Sequence, residues 1–258
     1  MEHAVCLQSV IPLRAEPSDR SEMMSQLLFG ELLDIKDVSN GWLQVSLEHD
    51  GYTGWVDEKQ IHSLDKGSFL SIRALELSLV TDPVAILEEG PGQRIFVVAG
   101  SALPGLLGNQ LSLAGKAFQF KGNSAKWQPC RTGSSLIQFA MMYQGAPFMW
   151  GGRTPLGIDG SGFTQIVYRL AGISLYRTAH QQALQGQIRS FAEEAQPGDL
   201  AFFDDEDGTI IHAGIVVGDG KIIHAYGQVR IDTLDHQGIF NHDTGTYTHS
   251  LRLIRYHI

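Results

Sequence analysis

Ala-Pro-Phe-Met-Trp-Gly-Gly-Arg-Thr-Pro-Leu-Gly-Ile-Asp-Gly-Ser-Gly, residues 146–162, is the stretch from which the rest of this chain can be read. Trp150-Gly151-Gly152 and Thr154-Pro155 read as a tight loop, because glycine and proline punctuate it so closely. Asp159-Gly160-Ser161-Gly162 then opens a run in which Phe163, Ile166, Val167 and Leu170 recur at helical spacing. The stretch is therefore a loop feeding a helix start, with Asp159 or Ser161 near the N-cap. A helix N-terminus carries partial positive charge, which stabilises an anion and lowers the pKa of a thiol placed there. A loop that delivers a side chain onto such a terminus is suited to presenting a nucleophile.

Upstream, residues 1–63 read as short alternating strands separated by turns. Gln26-Leu27-Leu28-Phe29-Gly30-Glu31, Gly41-Trp42-Leu43-Gln44-Val45 and Gly51-Tyr52-Thr53-Gly54-Trp55-Val56 carry the pattern, which predicts a small β-barrel. The order of these segments resembles a bacterial SH3-like domain. Residues 64–129 hold weaker strand signals at 78–81, 85–87, 94–98 and 117–120, broken by glycine-rich turns, and are expected to form a second, degenerate SH3-like barrel, the alternative being a β extension of the first.

From about residue 130 the pattern changes to helices followed by strands, the α+β order. Leu136, Ile137, Phe139, Ala140 and Tyr143 predict an amphipathic helix, and Arg177 to Ala183 a short helix start. Residues 210–218 and 221–225 predict a hairpin about Asp219-Gly220. The last strand is expected at 250–256. His212 and His224 fall on the two arms of that hairpin, so one face can hold both.

Taken together, Trp150-Gly151-Gly152, Asp159-Gly160-Ser161-Gly162, Pro197-Gly198-Asp199-Leu200 and His212-Ala213-Gly214-Ile215 resemble the NlpC-type cell-wall cysteine peptidases, whose fold is papain-like. The resemblance covers residues 130–258. It implies an α+β architecture of small SH3-like barrels followed by helices packed on an antiparallel sheet. It also implies that His212 is the catalytic base, that His224 orients it, and that the nucleophile position is 160. The family has Asp-Cys-Ser-Gly there, whereas this chain has Gly160 in the place of the cysteine. Phe148 is a second departure, standing where the family usually has a tyrosine. Ser161 is not expected to substitute as nucleophile, since neighbouring helix positions diverge by about 100°.

The reaction implied is hydrolysis of the γ-D-glutamyl-diaminopimelate bond in murein tripeptides or tetrapeptides with a free N-terminal L-Ala. Asp159 and Ser161 would hold the ammonium of that L-Ala, or serve only as helix caps. Glu16, Tyr52 and Trp55 of the first barrel are the expected wall of the pocket, and Arg177 and Gln181 could reach the groove. With Gly160 the chain is expected to be inactive as written. Two origins stay open: a cysteine replaced by substitution, or a natural non-enzyme that binds murein peptides or another partner.

Composition excludes other classes. Net charge is -9 with no basic cluster, which argues against nucleic acid and anionic membranes as partners. No apolar run approaches the roughly 18 residues of a membrane span. No cofactor is implied. Ten histidines are present, but without His-Glu-x-x-His or Cys-x-x-Cys; His242, His249 and His257 lack ligand spacing, so no metal is expected. Cys6 and Cys130 are too few for a disulfide framework. No signal peptide is read at the N-terminus, so a cytoplasmic setting in the recycling of wall fragments is expected, or an exported one if a leader has been removed.

Overall fold

The computed structural model describes residues 2–90, 92–129, 133–190 and 192–257. They form two compact units that divide between Trp127 and Gln128. Cys6 is buried in the core of the first unit, its thiol donating to the Gln8 carbonyl at 3.4 Å; Cys130 lies outside the described residues. Among the described residues no helix is long and apolar enough to cross a membrane.

In the first unit, alternation does what it predicts. The strand Trp42–Leu47 buries Leu43, Val45 and Leu47 and turns Trp42, Gln44 and Ser46 outward. It lies within a seven-stranded antiparallel sheet whose spatial order starts with Met23–Leu28, Val10–Arg14 and Thr53–Asp57. The order continues through Trp42–Leu47, Leu32–Ser39 and His3–Val5 to His62–Leu64. Leu27, near one edge, and Ala4, near the other, share a core with Ile11, Leu13, Leu33, Val45 and Val56, so the sheet curls around it.

Residues 77–126 add two smaller antiparallel sheets. The strands expected near 78, 85, 94 and 117 are present as Leu77–Val80, Val84–Glu89, Gln93–Val98 and Lys116–Lys121. A helix that the sequence reading did not foresee, Lys66–Arg73, precedes them; Asp65 caps it by accepting from the Ser68 N–H at 2.9 Å. One core joins Phe69, Leu87, Val97, Leu103 and Phe118 to Val5 and Leu64 of the first sheet and to Phe29 in the turn after Met23–Leu28.

The second unit is α+β. Its expected strands are present as Ile210–Gly218 and Lys221–Tyr226, turning at Asp219-Gly220 with both residues at positive φ. They belong to a sheet ordered Gln187–Ile188, Thr246–Tyr256, Leu200–Asp204, Ile210–Gly218, Lys221–Tyr226, Gln228–Leu234, Gly238–Asn241. Gly238–Asn241 pairs back onto Thr246–Tyr256, so six strands close into a barrel. The sequence pattern indicates an antiparallel sheet but not its closure. Gly238, at φ 144°, lies so close to the neighbouring strand that a Cβ there would overlap the His249 carbonyl. The helix Gly160–Leu170 packs against Ile210–Gly218, Lys221–Tyr226 and the helix Gly133–Met141. Burial extends almost all round it, from Gly160 to Leu170, as for a helix enclosed within a fold rather than lying on its surface.

Candidate active site

Asp159 is the N-cap of the helix Gly160–Leu170, in extended conformation at φ -95° and ψ 174°. Its Oδ1 accepts from the Gly162 N–H at 2.6 Å and its Oδ2 from the Gly151 N–H at 2.9 Å. One carboxylate thus pins the glycine loop to the first turn. The glycines permit this approach: a Cβ on Gly162 would overlap the Gly152 carbonyl, and one on Gly152 would overlap the Gly157 carbonyl. The motif is a backbone-on-backbone contact that only glycine admits.

The turn so built aims position 160 at the barrel. A Cβ at Gly160 would stand 2.9 Å from His212 Nδ1 and 3.0 Å from its Cε1. His212 and His224 share a face because Gly214 pairs with His224 on the next strand. His212 Nε2 lies 2.9 Å from His224 Nδ1, and His224 Nε2 lies 2.9 Å from Asp232 Oδ2. Burial pushes the Asp232 carboxyl up, but hydrogen bonds from His224 and Arg230 outweigh it and hold the group below its ordinary value. An ionised Asp232 only accepts, so His224 donates from Nε2 and accepts at Nδ1. His212 then donates from Nε2, and its Nδ1 carries the lone pair facing position 160. The relay sets the tautomer that a general base for a residue at 160 requires. Arg230 closes it from outside, Nε at 2.8 Å from Asp232 Oδ2 and Nη2 at 2.7 Å from Asp243.

Gly160, His212 and His224 are therefore brought together. The hydroxyl of Ser161 is not turned to the base: it lies 3.2 Å from Asp159 Oδ1 and accepts from Arg177 Nη1 at 2.9 Å. Arg177, expected as a side chain reaching into a groove, is 3% exposed and grips Asp159 with both terminal nitrogens, at 3.1 and 2.5 Å. Gln181, expected beside it, bonds back to Thr178 at the start of its own short helix. Phe148 is 40% exposed and donates its N–H to the Gly227 carbonyl. In the first unit, Glu16 is exposed, Tyr52 packs on the barrel core and Trp55 lies half-buried on the strand Thr53–Asp57.

Two residues of the site were not foreseen. Asp232 carried no motif, and only its alternation with Arg230 on the strand after His224 hints at it. His249 was set aside for want of ligand spacing, yet its ring stacks on that of His212 at 4.2 Å with 26° between planes. One ring nitrogen from each of His212, His224 and His249 lies within 4.8 Å of the other two.

Burial holds the His212 imidazole well below its usual 6.5, and the neighbouring His249 and His224 add to this. Burial, then His224, take His249 down to about 4. Unfolded, both rings titrate near 6.5, so between 6.5 and about 4 the unfolded chain binds more protons. Stability must then fall as pH is lowered through that window. We expect the melting temperature to drop steadily from pH 6.5 to 4, with a shallower slope for His249→Gln. Equal slopes for the two proteins would refute the buried, neutral state of His249.

Comparison with known proteins bears on this geometry. The profile described as the NlpC/P60 family matches residues 145–248, and that of the bacterial dipeptidyl-peptidase SH3 domain matches residues 13–61. The chain carries an NlpC/P60 domain behind a bacterial SH3 domain. It is 28% identical over 231 residues to the γ-D-glutamyl-L-lysine dipeptidyl-peptidase of Bacillus cereus, covering 81% of this chain and 68% of that protein. The Bacillus subtilis protein of the same description is 26% identical over 219 residues, covering 79% and 72%. The crystal structure of an NlpC/P60 family protein from Bacillus cereus superposes with a TM-score of 0.85 over 98% of this chain and 99% of that one, at 24% identity. That superposition establishes the fold. Within the NlpC/P60 domain, the loop, helix and histidine relay described above all fall inside the matched residues, apart from His249 just beyond them.

Proposed function

We propose that the NlpC/P60 domain recognises murein peptides containing a γ-D-glutamyl bond, on a scaffold built to hydrolyse it, and holds them uncut. Two of its relatives, from Bacillus cereus and Bacillus subtilis, are named for γ-D-glutamyl-L-lysine dipeptidyl-peptidase activity, which supports the substrate class. One observation carries the rest. The residue at the helix terminus facing His212 Nδ1 is Gly160, and glycine offers no atom to form the acyl intermediate that a cysteine would.

Recognition of a free amino end by Asp159 and Ser161 is the finer part of the proposal. A carboxylate facing an ammonium makes one of the stronger polar contacts. Here Asp159 is already engaged by Arg177 and two backbone N–H groups, so an ammonium would join that cluster or displace a donor from it.

The test is calorimetric titration of L-Ala-γ-D-Glu-L-Lys and its diaminopimelate counterpart, each free and N-acetylated. The expected affinity for the free peptide is micromolar, about -8 kcal/mol, with the peptide recovered intact. N-acetylation should weaken binding at least about tenfold, roughly 1.4 kcal/mol. Equal binding of both forms would leave Asp159 as a cap and ion-pair partner only. Cleavage of the peptide that His212→Ala abolishes would overturn the uncut reading.

A further inference from the structure

Beside Gly160, which carries no side chain, three imidazoles converge. We propose that His212, His224 and His249 form a binding site for a divalent transition-metal ion of the zinc class. The observation that carries it is the approach of three ring nitrogens within 4.8 Å of one another.

Two of the rings already have the outer partners that metal-binding histidines need to fix their orientation. His224 Nε2 is held by Asp232 Oδ2 at 2.9 Å, which leaves Nδ1 as its ligand atom. His249 Nδ1 meets Thr248 Oγ1 at 2.8 Å, which leaves Nε2. His212 would contribute Nε2, now 2.9 Å from His224 Nδ1. An ion would replace the proton of that hydrogen bond. Bonds of about 2.0–2.1 Å in tetrahedral geometry require the two nitrogens to part to about 3.3 Å, a shift of a few tenths of an ångström. The ring of His249 must also tilt off its stack on His212 so that its lone pair points at the ion.

The chemistry of the donors selects the ion. Three imidazoles suit zinc, cobalt, nickel and copper, whereas calcium and magnesium need oxygen. Imidazole ligates only in its neutral form, so binding should weaken as the pH is lowered. Three protein ligands leave a fourth position of a tetrahedral ion free. This proposal stands on the histidines alone and does not depend on which peptide the domain binds.

The test uses the full chain without an added histidine tag. Zinc titrated by calorimetry at pH 7.5 should bind one ion per chain with a Kd below about 1 μM, and magnesium and calcium should not bind. Cobalt in its place should give the intense visible absorption of a four-coordinate ion. His249→Ala should weaken zinc binding at least tenfold and abolish that absorption, and Asp232→Asn should weaken it about tenfold. His249→Cys should retain the ion and add a thiolate-to-metal charge-transfer band, which a surface site could not produce. Weak six-coordinate cobalt absorption in the unsubstituted protein, or zinc binding that His249→Ala leaves unchanged, would overturn the proposal. The cobalt spectrum needs no variant, so it decides even if a substitution prevents folding.

Discussion

Gly160→Cys is expected to raise γ-D-glutamyl peptidase activity at least about 10³-fold above that of the glycine protein. Removing the nucleophile of such a site costs roughly 10⁶ in turnover, so even partial recovery is large. The added Sγ would sit on the first turn of the helix Gly160–Leu170, where the helix dipole favours the thiolate. It would face a His212 whose Nδ1 is set as acceptor by the chain of hydrogen bonds through His224 to Asp232. The same imidazole can then return its proton to the leaving amine. Recovery should be incomplete, because a Cβ at 160 falls 2.9 Å from Nδ1, and the ring, flanked by His249, must retreat slightly to admit it. Release of the diamino-acid product from L-Ala-γ-D-Glu-L-Lys measures the gain, and His212→Ala in the cysteine background should cancel it. A cysteine protein that reacts with iodoacetamide no faster than a free thiol, and cleaves nothing, would mean that the relay does not activate position 160.

Arg177→Ala should be the most damaging single truncation to stability, costing about 3–5 kcal/mol. The guanidinium is 3% exposed and its partner's carboxylate 12%. Removing it leaves a buried charge that holds the glycine loop and the helix start together. Solvent cannot reach the site well enough to replace a two-nitrogen grip on both oxygens. For a unit of this size the melting temperature should fall by about 10 °C or more. Arg177→Lys keeps the charge but not the fork, and should recover only part of the loss. Combining Arg177→Met with Asp159→Asn should cost much less than the sum of the two changes, because no charge is then stranded. A loss below about 1 kcal/mol for Arg177→Ala would show that Asp159 needs no cation.

Much of this protein is local in origin, and what is local was legible. The loop at 151–162 is a glycine pattern feeding an apolar period. The cap is an aspartate three residues before the N–H it accepts from, and the hairpin about Asp219-Gly220 brings His212 and His224 onto adjoining strands. Each feature depends on residues near one another in the chain, so spacing alone determines it. The first barrel was readable for the same reason, through strand alternation and turn residues. The helix Lys66–Arg73 was not, because Phe69 and Ile72 give it too short an apolar face to stand out.

Tertiary structure decided the chemical environment. Arg177 stands eighteen residues from Asp159, and nothing in its neighbours distinguishes a buried partner from a solvated helix face. His249 reaches His212 only because Gly238–Asn241 and Thr246–Tyr256 close the barrel, with breaks in register at Ile239/Phe240 and Phe202/Phe203. A side-chain period of two records which residues share a face of one strand. It cannot record which face meets a strand forty residues away, since one bulge exchanges inside for outside. The sequence alone therefore determined the scaffold and the glycine at its helix terminus, while barrel closure and burial determined which charges and imidazoles surround that glycine.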